Sequence, residues 1–274
     1  MAKKSNSILK PINPMAIERL KHKKIFLLDQ DGTLYNGNTL FKGTKKFLSD
    51  IKKHGATYVF VTNNSSKSVD DYLKKLARLG IEATSDQFFT STEATIQYLK
   101  ATYPHQSVYP LGTTSFINKL KAEGIEIKGH LEADIALLAY DTELTYQKLM
   151  NISEMLLTRD VPYIATNPDF VCPIEFGSVP DCGSFIEMIE HATKKRPYVI
   201  GKPNKTFLDM ALAKYGYEAK DAVMIGDRLY TDIQSAYNSS ITSVLTLEGE
   251  ATLDDVKVYP IKPDYIINSI SDIF

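Results

Sequence analysis

The chain has 274 residues, 43% of them hydrophobic and 24% charged, with a formal net charge of −1. That length suits two domains with proper cores, and the balanced charge excludes the basic footprint of a nucleic-acid binder. Two cysteines, Cys172 and Cys182, exclude a disulfide framework; packing roles in a reducing cytoplasm are expected of them.

At the N-terminus, Lys3 and Lys4 are followed by no apolar run of signal-peptide length, and Pro11 and Pro14 interrupt the segment. No stretch elsewhere approaches a membrane span, so a cytoplasmic protein is expected. Lys21-His22-Lys23-Lys24 reads as a solvated helix end before the first strand. The five histidines lack metal-ligand spacing.

From there, strand-like runs alternate with helical periodicity, the pattern of an α/β fold with parallel sheets. Ile25-Phe26-Leu27-Leu28 is a strand that ends in Asp29-Gln30-Asp31-Gly32-Thr33. A helix over residues 43–54 stops at Gly55, and the strand 57–61 runs into Thr62-Asn63-Asn64-Ser65-Ser66. A helix over 69–79 closes at Gly80, Phe88-Phe89 is a short strand, and Ser91 or Thr92 caps a helix to Lys100.

The pattern restarts near Tyr103. Strands at 107–111, 135–139 and 162–166 alternate with helices at 115–123, 146–157 and 184–193, and this region has apolar faces enough for a core of its own. Val199-Ile200 then leads to Gly201-Lys202-Pro203, a helix at 206–214 and the strand 222–225. That strand ends in Gly226-Asp227-Arg228-Leu229-Tyr230-Thr231-Asp232, and later strands fall at 243–247 and 265–267.

Three apolar strands thus end in polar clusters, and in open α/β sheets those ends form the ligand crevice. Asp29 and Asp31, two apart at a strand end, repel each other unless a cation joins them; a hard, oxygen-bound ion such as Mg²⁺ suits the pair. A phosphate monoester would use the whole set. Asp29 can attack phosphorus, and Asp31 can give a proton to the leaving oxygen. Mg²⁺ between Asp29, Asp227 and a backbone carbonyl can offset the charge, Thr62 and the Asn63 amide can donate to phosphate oxygens, and Lys202 can supply a fixed positive charge. Singly, each element has a structural reading as strand exit, capping loop, turn or helix start. Their joint occurrence in this order favours the chemical reading.

These motifs resemble those of haloacid dehalogenase-superfamily phosphatases. Asp29-Gln30-Asp31-Gly32-Thr33 matches the first motif, Thr62 the second, Lys202 the third, and Gly226-Asp227 through Asp232 the fourth. Leu34-Tyr35-Asn36-Gly37, the run from Val61 to Ser68, and Ala165-Thr166-Asn167-Pro168-Asp169 resemble more narrowly the NagD-like or 4-nitrophenylphosphatase group. The resemblance implies a Rossmann-like core with an inserted α/β cap of the C2 type. It implies Asp29 as nucleophile and Asp31 as general acid and base. It also implies a Mg²⁺ site of Asp29, the Asp31 carbonyl and Asp227 with Asp232 in support, and substrate contacts from Thr62, Asn63, Asn64 and Lys202.

Spacing supports the cap. Only 30 residues separate Asp31 from Thr62, but 139 separate Thr62 from Lys202. Residues 1–102 and 197–274 are therefore expected to form the core and residues 103–196 the cap. Asn167 and Asp169 either face the site or make a turn. Relatives often carry Pro-Gly-x-Gly-Ser where this chain has Pro180-Asp181-Cys182-Gly183-Ser184, so a charge stands in place of a glycine. The expected function is Mg²⁺-dependent hydrolysis of small phosphate monoesters, sugar phosphates or nucleoside monophosphates, with p-nitrophenyl phosphate as an in vitro substrate. The alternatives are a phosphoryl transferase and a non-catalytic phosphometabolite-binding protein. Partners other than the small molecule, nucleic acid and membrane included, are not expected; a homodimer is allowed by the resemblance, but no stripe marks its interface.

Overall fold

The structure, a computed structural model, describes residues 14–174 and 176–274. Lys3, Lys4 and Pro11 lie outside the described residues. Helix α1 (Pro14–Lys21) starts at Pro14 and ends in the basic run, where Lys24 pairs with Asp221 at 2.9 Å. Strand β1 (Ile25–Leu28) is followed by a two-residue-per-arm hairpin, β2 (Tyr35–Asn36) and β3 (Thr39–Leu40). Then come α2 (Thr44–Lys53), β4 (Thr57–Thr62), α3 (Val69–Arg78), β5 (Phe88–Thr90) and α4 (Ser91–Thr102). The α4 cap is Thr90, whose hydroxyl accepts from the Glu93 amide at 3.1 Å, rather than Ser91 or Thr92. Ser91 is already helical, and its hydroxyl donates to the Asn63 carbonyl instead.

The middle of the chain contributes β6 (Val108–Leu111), α5 (Thr114–Ala122), β7 (Ile135–Leu138), α6 (Tyr146–Thr158), β8 (Tyr163–Ala165), the hairpin β9 (Val171–Ile174) and β10 (Gly177–Pro180), α7 (Cys182–Thr193) and β11 (Tyr198–Val199). The last part runs α8 (Lys205–Tyr215), β12 (Ala222–Gly226), a π-turn at Leu229–Ile233, α9 (Gln234–Asn238), β13 (Thr242–Thr246), α10 (Leu253–Val258) and β14 (Tyr265–Ile267).

A six-stranded sheet has the order β14-β13-β12-β1-β4-β5, and a four-stranded one the order β11-β8-β7-β6. All ladders in both are parallel. Strands flanked by helices on both faces explain the near-continuous apolar runs. Leu28 is in register with Ile225 on one side and Phe60 on the other, so the β1, β4 and β12 ends lie together. Tyr198 and Val199 pair with Ile164 and Ala165. The small sheet therefore takes its last strand from beyond Arg196, because the chain forms that ladder before it turns back at Gly201.

Alternation along the strands sorts the core. Ile25, Leu27, Val59, Val61 and Met224 point to one face of the large sheet; Phe26, Leu28, Tyr58, Phe60 and Ile225 point to the other. On β7 and the residues after it, Ala136, Leu138 and Tyr140 pack with Met155, Cys182 and Phe185 in a cluster belonging to the middle region. Ile135, Leu137 and Ala139 instead join Phe207 and Leu208 in the cluster of the large sheet. The middle region thus has a core on one face and shares a core on the other.

Candidate active site

The loops after β1 and β4 and the Gly201-Lys202 turn converge on a cavity of about 60 Å³, lined by Asp29, Asp31, Thr62, Asn63, Asn64 and Lys202 among others. Asp227 and Asp232, from the loop after β12, stand behind Asp29. One carboxylate oxygen from each of Asp29, Asp227 and Asp232 lies within 4.8 Å of the others.

Lys202 organises this group. Its side chain is 2% exposed, and Nζ donates to Asp29 Oδ1 at 2.7 Å, Asp232 Oδ1 at 2.6 Å and the Val61 carbonyl at 3.3 Å. All three ammonium protons are therefore used. Burial alone would lower its pKa, but Asp232 and Asp29 hold it above the usual lysine value. Burial, then the charges of Asp232 and Asp227, push Asp29 upward against the pull of Lys202. Asp227 is likewise raised, first by burial and next by Asp232. Three acids sharing one ammonium remain short of positive charge, and an all-oxygen donor set suits a hard divalent cation.

Glycines make room for these acids. A Cβ on Gly32 would come within 2.2 Å of Asp227 Oδ2, one on Gly249 within 2.1 Å, and one on Gly226 within 2.3 Å of the Asp232 carboxyl carbon. Gly32 also turns at φ +86°, where other residues are strained. Asp227 is fixed by the Glu250 amide, which donates to Oδ2 at 2.8 Å. Asp232 sits in the π-turn, where Oδ2 accepts from the Arg228 amide at 3.1 Å. Such an irregular turn aims the side chain back at Lys202.

Asp31 points elsewhere. Its carboxylate meets Lys75 Nζ at 3.2 Å, and that ammonium stands 3.9 Å from the Tyr35 ring centroid. The carboxylate thus lines the cavity outside the three-acid group, and the backbone carbonyl of Asp31 is left for a role beside Asp29 and Asp227. Lys75 was not singled out from the sequence, although it follows buried Tyr72 by three residues on α3 and so shares its face.

Thr62 is 7% exposed and its hydroxyl accepts from the Asn64 amide at 3.2 Å. The Asn63 side chain is fully engaged. Nδ2 donates to Asp169 Oδ2 at 2.7 Å and to the Lys202 carbonyl at 2.8 Å, while Oδ1 accepts from the Lys202 amide at 2.8 Å. It braces the lysine turn, and with the Asn63 carbonyl taken by Ser91 only the backbone amide is offered to a ligand. Asn64 Oδ1 accepts from the Ser66 amide and hydroxyl at 3.0 and 2.8 Å.

The segment after β8, the β9 arm of the hairpin and the cap of α7 complete the wall with Asp169, Val171, Cys172, Pro173 and Asp181. Asn167 and Asp169 do more than form a turn. Asn167 is fully buried and Nδ2 donates to Asp169 Oδ2 at 3.0 Å and Asp181 Oδ1 at 3.1 Å. Asp169 Oδ1 accepts from Arg228 Nη1 at 2.8 Å, and Arg228 Nε meets Glu250 at 2.9 Å. Arg228 lines the cavity and was missed in the sequence, where it is one letter within a motif. Cys182 packs in the small-sheet core; Cys172 is half-buried at the cavity.

A family model described as haloacid dehalogenase-like hydrolase matches residues 26–126, and a HAD-hydrolase-like model matches residues 199–273. The acid sugar phosphatase of Staphylococcus saprophyticus is 30% identical, over 93% of this chain and 98% of that protein. Among solved structures, the 4-nitrophenylphosphatase of Thermotoga maritima superposes with a TM-score of 0.89 at 35% identity, covering 93% of this chain and 97% of its own. A putative nagD protein gives a TM-score of 0.85 at 34% identity, with coverages of 91% and 96%.

Proposed function

This chain belongs to the haloacid dehalogenase-like hydrolases and is a NagD-like phosphatase, a phosphoric monoester hydrolase, and on that premise we propose that it hydrolyses small sugar phosphates through an aspartyl-phosphate at Asp29, with Mg²⁺ as cofactor. Sugar phosphates are favoured over nucleoside monophosphates by the staphylococcal relative, and p-nitrophenyl phosphate serves as a surrogate. The observation that carries the mechanism is the Asp29–Lys202 contact inside a cavity that Asp31 and Thr62 also line.

Lys202 holds Asp29 through Oδ1, which leaves Oδ2 to attack phosphorus. As the ester P–O bond breaks, Asp31 gives its proton to the departing oxygen; it then takes one from the water that attacks the aspartyl-phosphate and releases inorganic phosphate. Lys75 aims the Asp31 carboxylate. Thr62 and the Asn63 amide donate to the phosphoryl oxygens. Hydrolases of this family generally use a divalent metal. Asp29, Asp227 and the Asp31 carbonyl, with Asp232 in support, would hold Mg²⁺, which would supply charge neutralisation for the anionic nucleophile and phosphate.

Residues 103–196, with the β11 ladder, act as the cap over a core of residues 1–102 and 197–274, and Asp169 and Asp181 on the cavity wall support that division. Among the described residues no helix is long and apolar enough to cross a membrane, and two free cysteines fit a cytoplasmic enzyme.

The test is phosphate release from p-nitrophenyl phosphate with Mg²⁺ or with chelator, for wild type and Asp29→Asn. The variant and the chelated enzyme are expected to lose at least about 10³-fold in kcat. Activity that persists in Asp29→Asn overturns the covalent route; activity that ignores chelator overturns the metal. Metabolite binding without turnover overturns the hydrolase reading.

A further inference from the structure

Two carboxylates of the middle region line the cavity, Asp169 after β8 and Asp181 at the start of α7, and they are paired very differently. Asp169 has a cation and two amides: Arg228, Asn63 and Asn167 all donate to it, at 2.8, 2.7 and 3.0 Å. Asp181 has no such direct ion pair and feels Arg228 only as a weaker, more distant charge. Its Oδ1 accepts from Asn167 Nδ2 at 3.1 Å and from the Cys182 amide, and among the described residues Oδ2 takes no hydrogen bond from the chain. Yet Asp181 is 4% exposed. A carboxylate this buried asks for donors.

Capping does not account for it. Asp181 is the N-cap of α7, a task that one side-chain oxygen performs and that Ser or Asn performs equally well. Nor does backbone conformation select it. The residue has φ −110° and ψ −174°, extended backbone that needs no glycine. The second oxygen has no hydrogen bond from the chain among the described residues, and the residue that carries it lines the cavity. Burial, then repulsion from Asp169, raises the carboxyl to about 7, as expected of an acid with too few donors. Asp181 shares the wall of this cavity with Asp29, Thr62 and Lys202, so a group attached to phosphate there lies within its neighbourhood.

We propose that Asp181 is a specificity-determining residue: its free oxygen accepts hydrogen bonds from hydroxyls on the non-phosphate part of the substrate and rejects esters that carry a second anion there. The preferred class is then polyol and sugar phosphates, and phosphorylated carboxylic acids are excluded. This rests on the phosphatase reading above. A buried acceptor left without its donor is the kind of mismatch that gives strong discrimination, and a like charge against it adds repulsion.

The experiment measures kcat/KM of the full-length protein with Mg²⁺ on glycerol 3-phosphate, phosphoglycolate and p-nitrophenyl phosphate, for wild type, Asp181→Asn and Asp181→Ser. Wild type is expected to prefer glycerol 3-phosphate over phosphoglycolate by at least about tenfold, and both variants to reduce that ratio at least about tenfold, mainly through KM. Loss of fold would lower all three substrates together and leave the ratio unmoved. A second measurement needs no variant: in wild type, glycerol 3-phosphate should compete against p-nitrophenyl phosphate more tightly than phosphoglycolate does. A ratio unchanged within about threefold in a variant that keeps its p-nitrophenyl phosphate turnover, or equal or inverted competition in wild type, overturns the assignment. Wild type that hydrolyses none of the three overturns the phosphatase reading instead.

Discussion

Arg228 Nη1 donates to Asp169 Oδ1 at 2.8 Å, a contact between the loop after β12 of the large sheet and the segment after β8 of the small one. The pair is largely buried, with side-chain exposures of 15% and 6%. It ties the motif that carries Asp227 to the wall that carries Asp181.

Removing one partner should cost more than removing both. Arg228→Met leaves Asp169 buried beside Asp181 with no cation, and a loss of about 2–4 kcal/mol in urea unfolding is expected. Asp169→Asn in the same background should recover part of it, with a coupling energy on the order of 1–3 kcal/mol. Strictly additive losses would show that the ion pair does not join the two layers.

Gly249→Ala tests the metal site without touching an acid. The added methyl would come within 2.1 Å of Asp227 Oδ2 and displace that carboxylate. The half-saturating Mg²⁺ concentration for p-nitrophenyl phosphate hydrolysis should rise about 10–100-fold, with unfolding little changed. An unmoved Mg²⁺ titration would mean that Asp227 does not hold the ion.

Gly183→Ala should break the usual rule for helices. Alanine ordinarily adds up to about 1 kcal/mol over glycine inside a helix. Here a Cβ would lie 2.2 Å from the Pro168 carbonyl oxygen, backbone that cannot swing aside. A loss of about 1–3 kcal/mol is expected from thermal unfolding. Stabilisation would contradict the tight packing of α7 on the Asn167-Pro168-Asp169 segment.

Asp181 should also govern stability against pH. Its folded pKa, raised to about 7, exceeds the unfolded value near 4. Its contribution is therefore fully present below about pH 4 and is lost as pH rises through about 7. Asp181→Asn cannot ionise, so it should gain on wild type by on the order of 1–3 kcal/mol between about pH 5 and about pH 8. Urea midpoints across that range check the sign; a constant difference would mean that Asp181 is not shielded from water.

The strand-end acids were legible because alternation and turn chemistry are local: the run from Ile25 to Thr33 announces its strand, its turn and its carboxylates together. The pairing of those acids was less so. Asp31 meets Lys75 across 44 residues and Arg228 meets Asp169 across 59, distances at which no periodicity speaks. The hairpins at Tyr35–Leu40 and Val171–Pro180 were also missed, their arms being two and four residues long and the second half-exposed. Thr90 was passed over as a cap because it ends a strand and starts a helix at once. At 181 the sequence showed a charge in place of a glycine, but only the fold reveals an oxygen left over.

The β11 ladder does not stop at Val199: the Ile200 and Gly201 amides still donate to the Ala165 and Thr166 carbonyls, at 3.0 and 2.8 Å. Lys202 is the very next residue, so no slack separates the four-stranded sheet from the ammonium that grips Asp29. Any displacement of that sheet edge would therefore be felt at Lys202 Nζ and, through it, at Asp29 and Asp232.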